Sequence, residues 1–209
     1  MPRESGQAFR EQHARIGRQV TGRSTAKITT QHGLIYRHLI DTFGVDYASA
    51  YAEANSEAAD CIRSWIESLR IDCDYAPKSA YLYATTLGWK DAMEREAEAA
   101  RGLGLEARVL PSAPLPFPTN AALEFRHQAQ FNPARYLAGL ASALHLLGGR
   151  IFEHSRATGF DHDGKWRVST RRGKVSARDV VMATNLPVKS PAGYANRTQP
   201  RCHVAMAFR

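Results

Sequence analysis

Cysteine is scarce in this chain: Cys61, Cys73 and Cys202 are the only three, widely spaced and without a C-x-x-C pair. Neither a disulfide framework nor a structural zinc site is therefore expected, and all three are read as small apolar residues. Long apolar runs are missing too, since no stretch approaches the ~20 residues of a membrane span. That excludes a transmembrane helix and fits a soluble globular chain of 209 residues, 44% hydrophobic, 23% charged and 9% aromatic. The opening Pro2-Arg3-Glu4-Ser5-Gly6-Gln7 has no apolar core and no small-residue cleavage site, so no secretory signal is expected and the cytoplasm is the expected location. G-x-S-x-G, H-E-x-x-H and G-x-x-x-x-G-K-[ST] are all absent, which removes support for hydrolase, zinc-protease and P-loop chemistry. The eight histidines, including the adjacent Cys202-His203, show no metal-ligand spacing, and no metal site is expected.

What the chain has in excess is positive charge, +8 overall, but its distribution is uneven. Residues 1–30 carry six basic and two acidic side chains, residues 165–209 carry ten and one, and the remaining 12 basic and 17 acidic residues leave the middle at −5. In Lys165-Trp166-Arg167-Val168-Ser169-Thr170 the charges alternate with strand-forming residues, the pattern of a solvated sheet face. A basic protein that binds nucleic acid or a partner without catalysis is the alternative class. Tyr and Trp lie mainly in helix stripes and core-like strands rather than interleaved with Lys and Arg, which disfavours a nucleic-acid stacking platform.

Periodicity gives an ordered series of elements. Residues 1–20 are polar and expected to form a loose arm or frayed helix. Leu34, Ile35, Leu39 and Phe43 predict a helix from about Gln31, closed by Gly44. A long helix over 46–70 is expected to be capped by Asp46 and to bury Tyr47, Tyr51, Ala54, Ala58, Ile62, Trp65, Ile66 and Leu69. A strand over 80–85 and a helix over 90–101 follow; Gly102-Leu103-Gly104 caps that helix and, preceding a strand, is not a dinucleotide turn. The proline-rich 111–118 is an extended connector. A strand over 122–131 leads into Asn132-Pro133, an N-cap with proline at the first helical position. The helix there should bury Tyr136, Leu137, Leu140, Ala141, Leu144 and Leu147 and stop at Gly148-Gly149. Strands are expected over 150–153, 156–160, 165–170 and 174–177. Finally Val180-Val181-Met182-Ala183-Thr184 reads as a strand buried on both faces.

Two segments bear on function. Residues 17–30, Gly17-Arg18-Gln19-Val20-Thr21-Gly22-Arg23-Ser24-Thr25-Ala26-Lys27-Ile28-Thr29-Thr30, combine glycines, hydroxyls and cations ahead of a helix. Small residues let backbone N–H groups approach an anion, and the cations add charge, so a phosphate or an electron-rich ring could be held there. A polar loop capping the helix at Gln31 explains the same residues and ranks first on the residues alone. The second segment ends a buried strand at Ala183-Thr184-Asn185, the kind of carboxyl end where open α/β sheets bind ligands.

Thr21-Gly22-Arg23-Ser24-Thr25-Ala26-Lys27 with Gln31-His32-Gly33-Leu34, then Gln128-Ala129-Gln130-Phe131-Asn132-Pro133-Ala134-Arg135-Tyr136-Leu137, then Val180-Val181-Met182-Ala183-Thr184-Asn185, resemble the FAD-dependent oxidoreductases of the D-amino-acid-oxidase (DAO) superfamily. More narrowly they resemble the branch often fused to a Rieske iron-sulfur domain. The resemblance covers roughly residues 15–209. It implies an α/β (α+β) fold: a partial FAD/NAD(P)-binding Rossmann-like flavin domain with part of a mixed-sheet substrate domain. Residues 1–14 would be an atypical arm, 15–44 part of the FAD-binding domain, 45–125 the substrate side, 126–188 the return to the flavin domain, and 189–209 the start of a substrate-domain strand region.

The implied cofactor is FAD, and the implied activity is oxidation of a small-molecule amine or amino-acid-like substrate by hydride transfer to the flavin. Cofactor-binding positions carried over from the family are Gly22, Arg23, Ser24, Thr25, Ala26, Lys27 and Thr29, then Ala157 near the adenine, then Ala183, Thr184 and Asn185. Gln128 and Gln130 match the family motif without an assigned role, and no catalytic residue is identified. The family's opening strand and G-x-G-x-x-G turn have no counterpart in residues 1–14, and no C-x-H and C-x-x-H pair exists to bind a Rieske 2Fe-2S cluster. The expectation is an internal piece of a larger flavoprotein, with little turnover alone and with the remainder of the enzyme as a candidate partner.

Overall fold

In the computed structural model, residues 9–11, 15–17 and 21–184 are described, and Asn185, residues 189–209 and Cys202-His203 lie outside them. In chain order the elements are β1 (Phe9–Glu11), a 3-10 turn (Thr21–Arg23), β2 (Lys27–Ile28), α1 (Ile35–Phe43), α2 (Val45–Ser68), β3 (Ala76–Ala84), α3 (Lys90–Gly102), β4 (Ala107–Leu110), β5 (Ala121–Gln130), α4 (Pro133–Leu146), β6 (Arg150–Phe152), β7 (Ala157–Asp163), β8 (Lys165–Thr170) and β9 (Gly173–Ala177). Two units divide the chain, one holding residues 1–10 and 15–151, the other 11–14 and 152–209. β1 forms where a loose arm or frayed helix was expected.

The first unit is organised by β5. Along one edge it pairs antiparallel with β3 for its whole length. Along the other it pairs first with β4, residues 107–110 against 122–125, and then with β2, Lys27 and Ile28 against Gln130 and Ala129. One face of this sheet supplies Ala121, Leu123 and Phe125, which bury against Met93, Ala97 and Ala100 of α3 and against Tyr36 of α1. Alanines dominate α3's inner face because the helix lies close on a sheet that already carries large side chains. α4 begins as its sequence requires: the Asn132 side chain accepts from the Ala134 and Arg135 N–H groups at 3.2 Å, and Pro133 fills the first turn.

Four expectations give way here. The polar loop does not cap a helix at Gln31. Thr29 Oγ1 accepts from the Gln31 N–H at 3.0 Å in a local turn, and α1 starts four residues later with Leu34 as its N-cap. Asp46 does not cap α2, because Gly44 occupies the N-cap and Asp46 lies in the first turn, near the positive end of the helix dipole. α2 buries Ala48, Ala52 and Ile66, while Tyr47, Ala54, Ala58, Trp65 and Leu69 are exposed. The buried face is rotated by about one residue, or ~100°, because close approach favours small side chains over the aromatic ones that made the apparent stripe. On α4, Tyr136 is buried and Leu137, Leu140, Ala141 and Leu144 are half-buried, whereas Leu147 is 82% exposed.

In the second unit, β7, β8 and β9 form an antiparallel meander, with Gly164 and Arg172-Gly173 at the turns. Along β8, Lys165 and Arg167 are exposed and Val168 is buried, as a sheet with one solvated face requires. Residues 180–184 are not a strand, and Val181 is 88% exposed. A continuous apolar run becomes a central strand only where neighbours complete its hydrogen bonds and cover both faces, and no strand pairs with it among the described residues. All ladders whose register is described are antiparallel. No described helix is long and apolar enough to cross a membrane.

Candidate functional site

Residues 21–29 form a single loop fastened at its far end. The 3-10 turn at Thr21–Arg23 leads to Ser24, whose N–H donates to the Thr21 carbonyl at 3.3 Å and whose Oγ accepts from the Ala26 N–H at 3.2 Å. Ala26 adopts φ +61°, a left-handed conformation that costs a non-glycine residue roughly 1–2 kcal/mol. It is held by the Phe131 N–H, which donates to the Ala26 carbonyl at 3.1 Å, and by the β2–β5 ladder that follows. Thr21, Arg23, Ser24, Thr25 and Lys27 are exposed.

Charge favours an anion at this loop. No acidic residue occurs between Glu11 and Asp41, while Arg23 and Lys27 lie within the loop itself. Two exposed cations, several hydroxyls and a strained backbone fit a phosphate-bearing ligand such as the pyrophosphate of FAD. Among the carried-over positions, Gly22, Arg23, Ser24, Thr25, Ala26, Lys27 and Thr29 are thus brought together. Ala157 opens β7 in the second unit, and Ala183 and Thr184 are exposed there without regular structure. Asn185 lies outside the described residues. Among the described residues no group of three or more His, Cys, Asp or Glu side chains could hold a metal ion.

Beneath the loop lies a buried polar chain that periodicity could not show. The Gln128 amide oxygen accepts from the Thr30 N–H at 2.6 Å and from its hydroxyl at 3.3 Å. The Tyr36 hydroxyl donates to the Thr30 carbonyl at 2.5 Å. Glu96 of α3, fully buried, accepts from the Tyr36 N–H at 2.7 Å and the Arg37 N–H at 2.8 Å. Matching Gln128 to a family motif singled it out from sequence, but its partner 98 positions away could not be inferred.

Burial pushes the Tyr36 phenol up to about 12; the hydrogen bond with Thr30 opposes the shift, and Tyr51 and Glu96 add to it. The folded protein therefore holds this proton more tightly than the unfolded chain does. The associated stability is fully present below about pH 10 and is lost as pH rises through about 12. At 1.36 kcal/mol per unit this amounts to about 2–3 kcal/mol. Denaturant titrations at pH 9 and pH 12 should show a larger drop than in Tyr36→Phe, where the buried Tyr136 and Cys73 still contribute; equal drops in both proteins would contradict the assignment.

On the opposite sheet face, Glu124 is buried between Tyr81, whose hydroxyl donates to it at 3.0 Å, and Arg108, which ion-pairs with it. Burial pushes its carboxyl up, but hydrogen bonds from Arg108, Ser79 and Tyr81 outweigh this and hold it below the usual value. Strand alternation places Glu124 opposite Leu123 and Phe125. Its partners depend on register, which the sequence alone leaves open.

The model of the family "DAO: FAD dependent oxidoreductase" matches residues 10–208. YhfW of Bacillus subtilis (strain 168), named for a Rieske 2Fe-2S iron-sulfur centre, is 34% identical over 179 residues, which cover 85% of this chain and 35% of YhfW. The gamma-glutamylputrescine oxidoreductase of Escherichia coli (strain K12) is 27% identical over 195 residues, 90% of this chain and 46% of that protein. Among solved structures, the L-proline dehydrogenase of P. horikoshii superposes with a TM-score of 0.68 at 15% identity, covering 90% of this chain and 48% of that one. Glycine oxidase from Geobacillus kaustophilus gives 0.62 at 17%, covering 84% and 48%. The chain thus spans less than half the length of these relatives, and the structural matches establish a shared fold.

Proposed function

We propose that this chain, which belongs to the DAO family of FAD-dependent oxidoreductases, contributes the flavin-holding loop and part of the substrate side of an enzyme that oxidises an amine or amino acid. The observation that carries the reading is the acid-free loop of residues 21–29, which exposes Arg23 and Lys27 and is fastened to β5. Arg23 and Lys27 would neutralise the FAD pyrophosphate, and Thr21, Thr25 and the nearby backbone N–H groups would orient it. Ala157, Ala183, Thr184 and Asn185 are proposed as further cofactor positions on the family resemblance alone. FAD, when bound, supplies the hydride acceptor. The gamma-glutamylputrescine oxidoreductase and the L-proline dehydrogenase carry names that support an amine or amino-acid substrate.

The division into a substrate side at 45–125 and a return to the flavin domain at 126–188 is part of this proposal. It is supported by β5 exchanging β4 for β2 as its edge partner beyond Phe125, and by the polar sheet face formed by Tyr81, Arg108 and Glu124. Titrating the chain with FAD while following flavin fluorescence tests the reading. Arg23→Gln and Lys27→Gln should each weaken binding about tenfold, the size of one lost charge-assisted hydrogen bond. Added salt should narrow that difference, because exposed charges are screened. Equal affinity in all three proteins would overturn the placement of the cofactor on this loop.

A further inference from the structure

We infer that Gln128 is the positioning residue of the flavin loop: a bulge in β5 turns its amide inward, where it clasps Thr30 and fixes the loop from β5. The inference rests on the reading of residues 21–29 as the place where FAD binds. Against β3, Phe125 is opposite Ala80 and Gln128 is opposite Lys78, so three steps along β5 match two along β3. The extra residue lies at Arg126 and His127, which are both exposed, and His127 takes φ +59°. In an unbroken strand Gln128 would face away from Phe125; with the bulge it shares the Phe125 face and is buried.

The bulge is held in place by Glu106. Its carbonyl accepts from the Arg126 N–H at 3.0 Å, and its carboxylate meets His127 Nε2 at 2.7 Å and Arg126 Nη1 at 3.3 Å. Gln128 is itself fixed, because its Nε2 donates to the Arg126 carbonyl at 2.6 Å. Its oxygen then satisfies both donors of Thr30, whose carbonyl already accepts from Tyr36. Thr30 is thereby tied at all three polar groups, and it immediately follows the loop. A left-handed non-glycine residue stands at each side of the clasp, Ala26 in the loop and His127 in the strand. Strain of this kind persists only where surrounding structure enforces it, and it gathers where geometry matters to function.

The test compares the full chain with Gln128→Met, which keeps the volume but removes the acceptor, and Gln128→Glu, which retains an acceptor for Thr30. Amide hydrogen exchange at Thr30 and Gln31, FAD affinity and the unfolding midpoint are measured for each. In Gln128→Met, exchange at these amides should speed about tenfold or more, since a buried N–H loses its partner. FAD should bind about tenfold more weakly, with the midpoint shifted far less than a core truncation would shift it. Gln128→Glu keeps the acceptor for Thr30 but sets an oxygen against the Arg126 carbonyl in place of the Nε2 donor, so its protection and affinity should fall between those of the unaltered chain and of Gln128→Met. Unchanged exchange in Gln128→Met overturns the clasp whatever FAD does. Faster exchange with unchanged FAD affinity overturns the positioning role. If the unaltered chain binds no FAD at all, the loop assignment fails and carries this inference with it, while the exchange data still report separately on the clasp.

Discussion

Replacing Glu96 by alanine should cost about 2–4 kcal/mol, a large fraction of a domain's stability. The reason lies at the start of α1. Its N-cap is Leu34, which offers no side-chain acceptor, so the N–H groups of Tyr36 and Arg37, the second and third residues of the helix, have no local partner. Glu96 supplies both acceptors from α3, 60 and 59 positions along the chain, at 2.7 and 2.8 Å. Alanine would leave the buried Tyr36 N–H unsatisfied, at about 1–3 kcal/mol, would leave the part-buried Arg37 N–H to water, and would add a cavity beside Tyr36. Glu96→Gln retains one acceptor but turns an amide NH2 toward the other donor, so about half the loss is expected. Chemical denaturation reads both. A loss below 1 kcal/mol in Glu96→Ala would show that water or a shifted α1 replaces the carboxylate.

Gly22→Ala should abolish most FAD binding with little loss of stability. A Cβ on Gly22 would lie 1.5 Å from the carbonyl oxygen of Gly17 and 2.6 Å from its carbon. These are backbone atoms and cannot rotate aside. Gly17 itself lies beside the start of α4, where a Cβ on it would meet the Ala134 Cα at an ordinary contact distance of 3.9 Å. The close backbone approach of Gly22 to Gly17 must therefore be lost, which displaces the turn at Thr21–Arg23, and that turn buries no residue whose loss would unfold the protein. Displacing Arg23 and the adjacent N–H groups removes at least one charge-assisted contact, so affinity should fall tenfold or more. Gly102→Ala, at a helical glycine with open space around it, should leave binding unchanged. Tight binding by Gly22→Ala would mean that the turn does not touch the cofactor.

Local chemistry made much of the fold legible. Asn132-Pro133 announces α4 because cap and first-turn proline are satisfied within three residues. Gly102-Leu103-Gly104 reads as a helix end because a left-handed glycine is needed there. The rest depended on register and partners. The face α2 buries was misjudged because aromatic residues outweigh alanines in a hydrophobic stripe, although alanines allow the closer helix contact. Residues 180–184 have the composition of a central strand, but composition cannot supply neighbours. The candidate loop stood out by its glycines, hydroxyls and cations. Its anchorage did not, because Gln128 reaches Thr30 only through a one-residue bulge, and no spacing along the chain encodes where β3 and β5 fall out of step.

The visible absorption spectrum of the purified chain, titrated with FAD and in parallel with riboflavin, tests the central claim most directly. Both ligands carry the same ring, and only FAD carries the pyrophosphate that Arg23 and Lys27 are assigned to hold. The account predicts a saturable change in the flavin band with FAD and a much weaker one with riboflavin. A spectrum that FAD leaves identical to free flavin, or an equal response to both ligands, would contradict it.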